Sequence, residues 1–189
     1  MSGVDVATRK ADTRREALDR RREAQSKEAN ARATKHLVTW LMATDGALSI
    51  SGYMPIGTEI DTIPTLTQLA EAGRTVCLPV IQGRGEPLIF RQWTPDSPMI
   101  EGDFGALIPR SGDYLEPDIL ITPLLAFDAT GARMGYGGGF YDRTLVGLRS
   151  KRPTFSIGFA FGAQEVAAVP TEATDQRLDA LVTLSLIHI

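Results

Sequence analysis

One stretch narrows what this chain can be more than any other: residues 123–145, PLLAFDATGARMGYGGGFYDRTL. It follows DILIT (118–122), a short β-branched apolar run that suits a strand buried on both faces. Then come Asp128, Gly131 and Arg133, four glycines within five positions (Gly135, Gly137, Gly138 and Gly139), and an amphipathic segment from Phe140. The order is strand, loop, helix. Glycines at this density let backbone N–H groups turn inward with no Cβ in the way, and the following helix adds unpaired N–H groups at its positive end. Such a loop is an anion cradle suited to phosphate; the plainer reading is a tight structural turn. Two well-known phosphate loops are excluded, because no Gly-Lys-Ser/Thr follows and Phe140 occupies the third glycine position of GxGxxG.

The length, 189 residues, suits one domain that buries roughly 70% of the surface its unfolded chain would expose. Apolar content of 43% and charged content of 23% describe an ordinary α/β protein rather than a disordered or fibrous one. No run approaches the roughly 18 uninterrupted apolar residues of a membrane span. Net charge is −3, yet residues 1–36 hold ten of the 20 Lys/Arg and only six of the 23 acids. Mixed signs in that basic stretch argue against a general nucleic-acid binder and leave selected cations for a small anion. The single cysteine, Cys77 in TVCLPVI, excludes a disulfide framework and is expected in the core. The charged, acid-containing start argues against a signal or transit peptide, so the cytoplasm is expected. With only His36 and His188 present, chemistry built on a histidine base is disfavoured.

Along the chain, helices are expected over 4–23 and about 28–44, a strand over 47–51, and a short helix over 63–72 ending at Gly73. Further strands are expected in RTVCLPVI, in 87–93, in 118–122, over 154–159 and near the end. Residues 95–117, rich in Pro, Gly, Asp and Ser, read as one long loop of the kind that serves as a functional lid. Lys10 and Arg14 are four apart and share a helix face, either for phosphates or simply for solvent. Glu59 lies just beyond a strand's C-terminal end, where open α/β sheets place their ligands, and is either a ligand acceptor or a helix-start residue.

The pattern FDxxGxRxGxGGGxYDRxL over 127–145 closely resembles the signature of the 5-formyltetrahydrofolate cyclo-ligase family, also called methenyltetrahydrofolate synthetase. The resemblance implies an ATP- and Mg²⁺-dependent enzyme converting 5-formyltetrahydrofolate to 5,10-methenyltetrahydrofolate with release of ADP and phosphate. It carries Lys10 and Arg14 over as ATP contacts. It also assigns Arg133, Met134, Gly135, Tyr136, Gly137, Gly138, Gly139, Phe140 and Tyr141 to the nucleotide. Met54 and Glu59 of the YxP…E-I-x-T segment contact folate, together with Tyr136, Gly137, Gly138, Gly139 and Phe140. Arg133 and Tyr141 are the implied catalytic residues, and Asp142 and Asp175 the implied Mg²⁺ ligands, although an aspartate such as Asp175 is also an ordinary N-cap. Phe140 stands where many relatives have tyrosine, and Ile108-Pro109 departs from the family's Glu-Pro.

The expected fold is a single three-layer α/β domain over 1–183 with a mostly parallel central sheet flanked by helices, its cleft at the strands' C-terminal ends. The last six residues, LSLIHI, break the pattern and are expected to be a non-native tail. The expected partners are ATP and a reduced folate, with no nucleic acid or membrane, and the chain is expected to act as a monomer. Two other classes stay open: a non-catalytic nucleotide- or folate-binding regulator, and a related α/β enzyme acting on sugar phosphates.

Overall fold

A computed structural model describes residues 3–46, 48–184 and 187–188. The chain opens with two helices, α1 (Gly3–Ala24) and α2 (Lys27–Met42). Ser26 separates them, its hydroxyl accepting from the amide of Ala29 at 3.0 Å and so capping α2. Ala33, Leu37 and Leu41 recur at intervals of four and form the buried stripe of α2. Strand β1 (Ser49–Ser51) follows; it is shorter than the expected 47–51, and Ala47 lies outside the described residues. Next are α3 (Ile63–Glu71), with Pro64 in its first turn where the missing N–H costs nothing, and β2 (Thr75–Val80). Strand β3 (Ile89–Gln92) returns antiparallel beside β2.

Residues 95–117 are not one irregular loop. They contain a hairpin of β4 (Met99–Glu101) and β5 (Leu107–Pro109), closed by a tight turn at Asp103–Gly105, and then β6 (Tyr114–Leu115), which joins the main sheet beside β3. Strands of two or three residues are too short to show alternation in sequence, and their pairing is fixed from outside: Arg91 Nη1 donates to the carbonyls of Pro109 (2.8 Å) and Arg110 (3.1 Å).

The second half contains β7 (Ile119–Thr122), a small hairpin of β8 (Ala126–Phe127) and β9 (Arg133–Met134), α4 (Phe140–Arg149), β10 (Phe155–Phe159), β11 (Ala180–Val182) and β12 (Ile187–His188). The main sheet runs β12-β11-β10-β7-β1-β2-β3-β6, parallel from β11 to β2 and antiparallel at both edges. Every residue of β7 is buried, as its unbroken apolar run requires at the centre of a sheet covered on both sides. Helices α2 and α3 bury Leu37, Leu41, Leu66 and Leu69 against Ile50, Val76, Ile121 and Ile157. On the opposite face α4 buries Leu145 and Leu148 against Cys77, Phe90 and Leu120. This is the expected three-layer architecture. Cys77 is fully buried, its thiol pushed up to about 12 by desolvation, as a core residue should be.

From β1 the chain winds one way, through α3 to β2; from β7 it winds the other way, through α4 to β10 and β11. The neighbours β1 and β7 therefore form the topological switch point, where the loops leaving their C-terminal ends diverge and open a crevice. Those two loops are the segment carrying Met54 and Glu59 and the segment carrying the glycines.

Candidate functional site

The 123–139 segment is more ordered than a loop. The β8–β9 hairpin is organised by Asp128, whose Oδ1 accepts from the Thr130 amide (2.8 Å) and hydroxyl (2.6 Å) while Oδ2 accepts from the amide of Val169 at 2.8 Å. Burial alone would raise its pKa, but these hydrogen bonds outweigh burial and hold the carboxyl below its ordinary value. Gly131 supplies the positive φ (76°) that the hairpin turn needs; a Cβ there would lie 2.8 Å from the carbonyl of Leu178. Asp128→Ala is expected to cost roughly 1 to 3 kcal/mol of stability at neutral pH. The depressed folded pKa means that this contribution is present above the unfolded carboxylate value and lost as pH falls through the folded one. Urea unfolding of both proteins across that range checks it: a difference that is absent at neutral pH, or that persists undiminished in acid, contradicts the assignment.

Hairpin β8–β9 delivers Arg133 and Met134 to the mouth of the crevice. Arg133 is buried; its Nη2 donates to Asp142 Oδ1 at 2.8 Å and its Nη1 to the Gln176 carbonyl. The same Oδ1 of Asp142 accepts from the amide of Gln176 at 2.9 Å, so the first turn of α4, β9 and the 175–176 turn are tied through one carboxylate. Burial pulls the Arg133 guanidinium below its ordinary pKa in spite of the Asp142 charge. Asp175 stands next to Gln176, and Lys10 of α1 pairs with it (2.7 Å) and with Glu172 (2.9 Å). Asp175 begins no helix: it closes a turn, its Oδ2 accepting from the Glu172 amide at 2.8 Å. Asp142 and Asp175 are thus brought to one place, each beside a cation.

The glycine loop runs from Gly135 to Gly139. Gly139, at φ 65°, is the N-cap of α4, and Gly137, at φ 100°, lies against Arg14, whose Nε donates to the Gly135 carbonyl at 3.1 Å. Two basic residues of α1 therefore flank the loop: Arg14 on its backbone and Lys10 at the aspartate side. Phe140 lies edge-on to Phe104 of the β4–β5 turn, with ring centroids 6.3 Å apart, so the hairpin within 95–117 does reach the glycine loop. Met134 is buried with Ala17 and Leu125 beneath α1 and contributes packing.

Across the crevice, Glu59 is buried with Oε2 accepting from the Ile56 amide at 2.8 Å. Desolvation raises its pKa, against the Ile56 amide, the Arg21 charge and the Tyr136 hydroxyl, which favour the ionised form. Met54, five residues earlier, is half-buried against the α2–α3 core. Tyr141 lies between the two halves of the site: burial pushes its phenol far up, the Glu59 charge adds to this, and Arg133 opposes it. A phenol held neutral can donate a hydrogen bond but cannot act as a base.

One residue of the site was hidden in the sequence. Arg21 is 2% exposed, its guanidinium lodged between Thr58, Tyr136 and Leu124 beside Glu59. It sits in an Arg-Arg-Arg run whose members look alike, but its spacing of four from Ala17 and three from Ala24 places it on the packed face of α1. That spacing was the available signal.

Fold and site together define a class: a three-layer α/β domain with a glycine-rich loop at the switch point of its sheet and carboxylates and cations on either side. The family model described as the 5-formyltetrahydrofolate cyclo-ligase family matches residues 6–184, and the chain belongs to that family. It is 36% identical over 157 residues to the 5-formyltetrahydrofolate cyclo-ligase of Haemophilus influenzae, covering 80% of this chain and 83% of that one. It is also 36% identical over 151 residues to the protein of the same name from Escherichia coli, covering 75% and 80%. The solution structure of Aquifex aeolicus 5,10-methenyltetrahydrofolate synthetase superposes with a TM-score of 0.77 at 25% identity, covering 95% of this chain and 91% of that one. A synthetase structure from Mycoplasma pneumoniae superposes with a TM-score of 0.71 at 23% identity, over 93% and 99%, and supports the fold.

Proposed function

We propose that this chain cyclises 5-formyltetrahydrofolate to 5,10-methenyltetrahydrofolate, consuming ATP with Mg²⁺ and releasing ADP and phosphate, as a monomer in the cytoplasm. The observation that carries the reading is the division of one crevice by its glycine loop: Arg133, Lys10 and Arg14 surround it on one side, and Glu59 with Tyr136 lies on the other.

The chemical problem is a poor leaving group. Closing the ring by direct attack of nitrogen 10 on the formyl carbon would expel oxide or hydroxide. If the formyl oxygen first attacks the γ-phosphorus, ADP departs and an imidate phosphate forms; nitrogen 10 then attacks that carbon and phosphate leaves with its electron pair. The protein's work is positioning and charge neutralisation. Arg133, the amides of Gly137, Gly138 and Gly139, Lys10 and Arg14 bind the phosphates, with Met134, Gly135, Phe140 and Tyr141 completing the nucleotide wall. Glu59 accepts from the N–H donors of the pterin, with Met54, Tyr136 and Phe140 along its ring. Tyr141, neutral and set between Glu59 and Arg133, donates to the oxygen being transferred.

Mg²⁺ fits this chain as a metal held by few protein ligands. Among the described residues no cluster of three candidate ligands exists, while Asp142 and Asp175 offer two hard carboxylates, the number Mg²⁺ takes when phosphate and water supply the rest. When bound it neutralises phosphate charge. Lys10 and Arg133, which pair with those carboxylates, would then share them with the metal and stand ready for the phosphates.

Purified protein given ATP, Mg²⁺ and 5-formyltetrahydrofolate is expected to form the methenyl product, followed by its near-ultraviolet absorbance, with one ADP per turnover. An equal rate without ATP, or none with it, overturns the reading.

A further inference from the structure

Arg21 is the most buried cation among the described residues, and none of the roles proposed above uses it. Its Nε donates to Thr58 Oγ1 at 3.0 Å, Nη2 to the Tyr136 hydroxyl at 2.6 Å, and Nη1 to the Leu124 carbonyl at 3.5 Å. Its carbon end also lies 5.5 Å from the centre of the Tyr136 ring. These contacts join three separate pieces of the crevice: the loop after β1, the chain leaving β7 and the glycine loop. Glu59 Oε1 stands 3.9 Å from Nη1, a charge contact rather than a hydrogen bond, so the guanidinium supports the carboxylate electrostatically while spending its donors elsewhere. An uncompensated carboxylate in that position would be costly, because burial disfavours its charge.

We propose that Arg21 is a positioning residue for the folate side of the site, fixing the charge and placement of Glu59 and the position of Tyr136 so that together they receive the pterin ring. The inference rests on the functional reading above, which supplies the pterin as the ligand of Glu59. In this arrangement Arg21 acts on folate recognition and leaves the nucleotide side to Arg133, Lys10 and Arg14. It also sets a pH dependence. The charged and titratable groups that interact with Glu59 are Arg21 from α1, Tyr53 from the segment after β1, Tyr136 from the glycine loop and Tyr141 from α4. Of these Arg21 is the cation. Removing it raises the Glu59 pKa beyond the value burial already imposes, so folate binding that needs the carboxylate is lost at a higher pH as the solution is acidified.

The test is direct binding of 5-formyltetrahydrofolate and, separately, of ATP with Mg²⁺, to wild type, Arg21→Met and Arg21→Lys across a pH series. Arg21→Met is expected to weaken folate binding by roughly tenfold, the scale of one charged interaction, with nucleotide affinity within about twofold of wild type. Its acidic limb for folate should move to higher pH, and Arg21→Lys, which restores the charge without the fork, should recover part of the shift. Equal losses of folate and nucleotide affinity with an unmoved pH limb would make Arg21 a packing residue and overturn the proposal. Should Arg21→Met fail to fold, Thr58→Val removes one anchor of the guanidinium at a half-buried position; it is expected to move folate affinity and the pH limb in the same direction by less, and no movement in either overturns the proposal. Wild type that binds no folate at any pH would instead defeat the functional reading itself.

Discussion

Replacing Arg133 by methionine is expected to lower the unfolding free energy by roughly 3 kcal/mol and to abolish turnover. The guanidinium side chain is 5% exposed and holds two partners, Asp142 Oδ1 and the Gln176 carbonyl. Methionine fills much of the volume but leaves Asp142, whose side chain is 26% exposed, without its counter-charge and the Gln176 carbonyl without its donor. Against a total stability of about 5 to 15 kcal/mol the loss is large, and for a chain of this size it corresponds to a fall of roughly 6 to 12 °C in Tm. The same substitution removes a buried cation assigned to the phosphates, so activity should disappear even where the variant is folded. Arg133→Lys keeps the charge and loses the two-pronged geometry; it should recover part of the stability and little of the rate. Thermal melts and turnover measured together check this. A Tm within about 2 °C of wild type would mean that the Arg133–Asp142 pair is not what ties β9 to α4.

The second large effect is expected at Asp142. Asparagine in its place still presents an oxygen to the Gln176 amide and to Arg133, so the loss of stability should be about 1 kcal/mol, the difference between a charged and a neutral hydrogen bond. The chemistry should suffer far more. A carboxylate is a hard ligand for Mg²⁺ and an amide oxygen a weak one, and a metal supplying several kcal/mol of charge stabilisation corresponds to at least about two orders of magnitude in turnover. Raising Mg²⁺ should restore part of the lost rate. The decisive measurement is turnover against Mg²⁺ concentration for wild type and Asp142→Asn. Superimposable curves would place the metal elsewhere and remove Asp142 and Asp175 from its ligand set.

Asp142 also shows how a residue's two readings can both hold. In sequence it is a first-turn acid of the segment from Phe140, and the family resemblance makes it an implied metal ligand. In the fold it lies in the first turn of α4 and accepts from Arg133 and from the Gln176 amide, next to Asp175 in the chain. The structural tie is what the fold shows, and the proposed metal role would use the same carboxylate.

What the sequence determined by itself was whatever depends on local pattern. The β-branched run 119–122, the stripe of α2, Pro64 at the start of α3 and the glycine-to-helix junction at Phe140 are each readable because secondary structure has a fixed period and a fixed terminus chemistry. The candidate site residues within 133–142 were legible through a 19-position pattern, and Lys10, Arg14, Met54, Glu59 and Asp175 through shorter segments outside it. Tertiary structure decided what depends on partners distant in the chain. The β8–β9 hairpin and the strands within 95–117 are too short to carry a period, and exist because Asp128 meets Val169 and Arg91 meets Pro109. The choice among three adjacent arginines fell to Arg21 because only the folded α1 presents that side chain to Thr58, Tyr136 and Glu59, 37 to 115 residues away along the chain. Pairing of Lys10 with Asp175 and of Arg133 with Asp142 was likewise beyond the sequence: charge type is local, but the distance between two charges belongs to the fold.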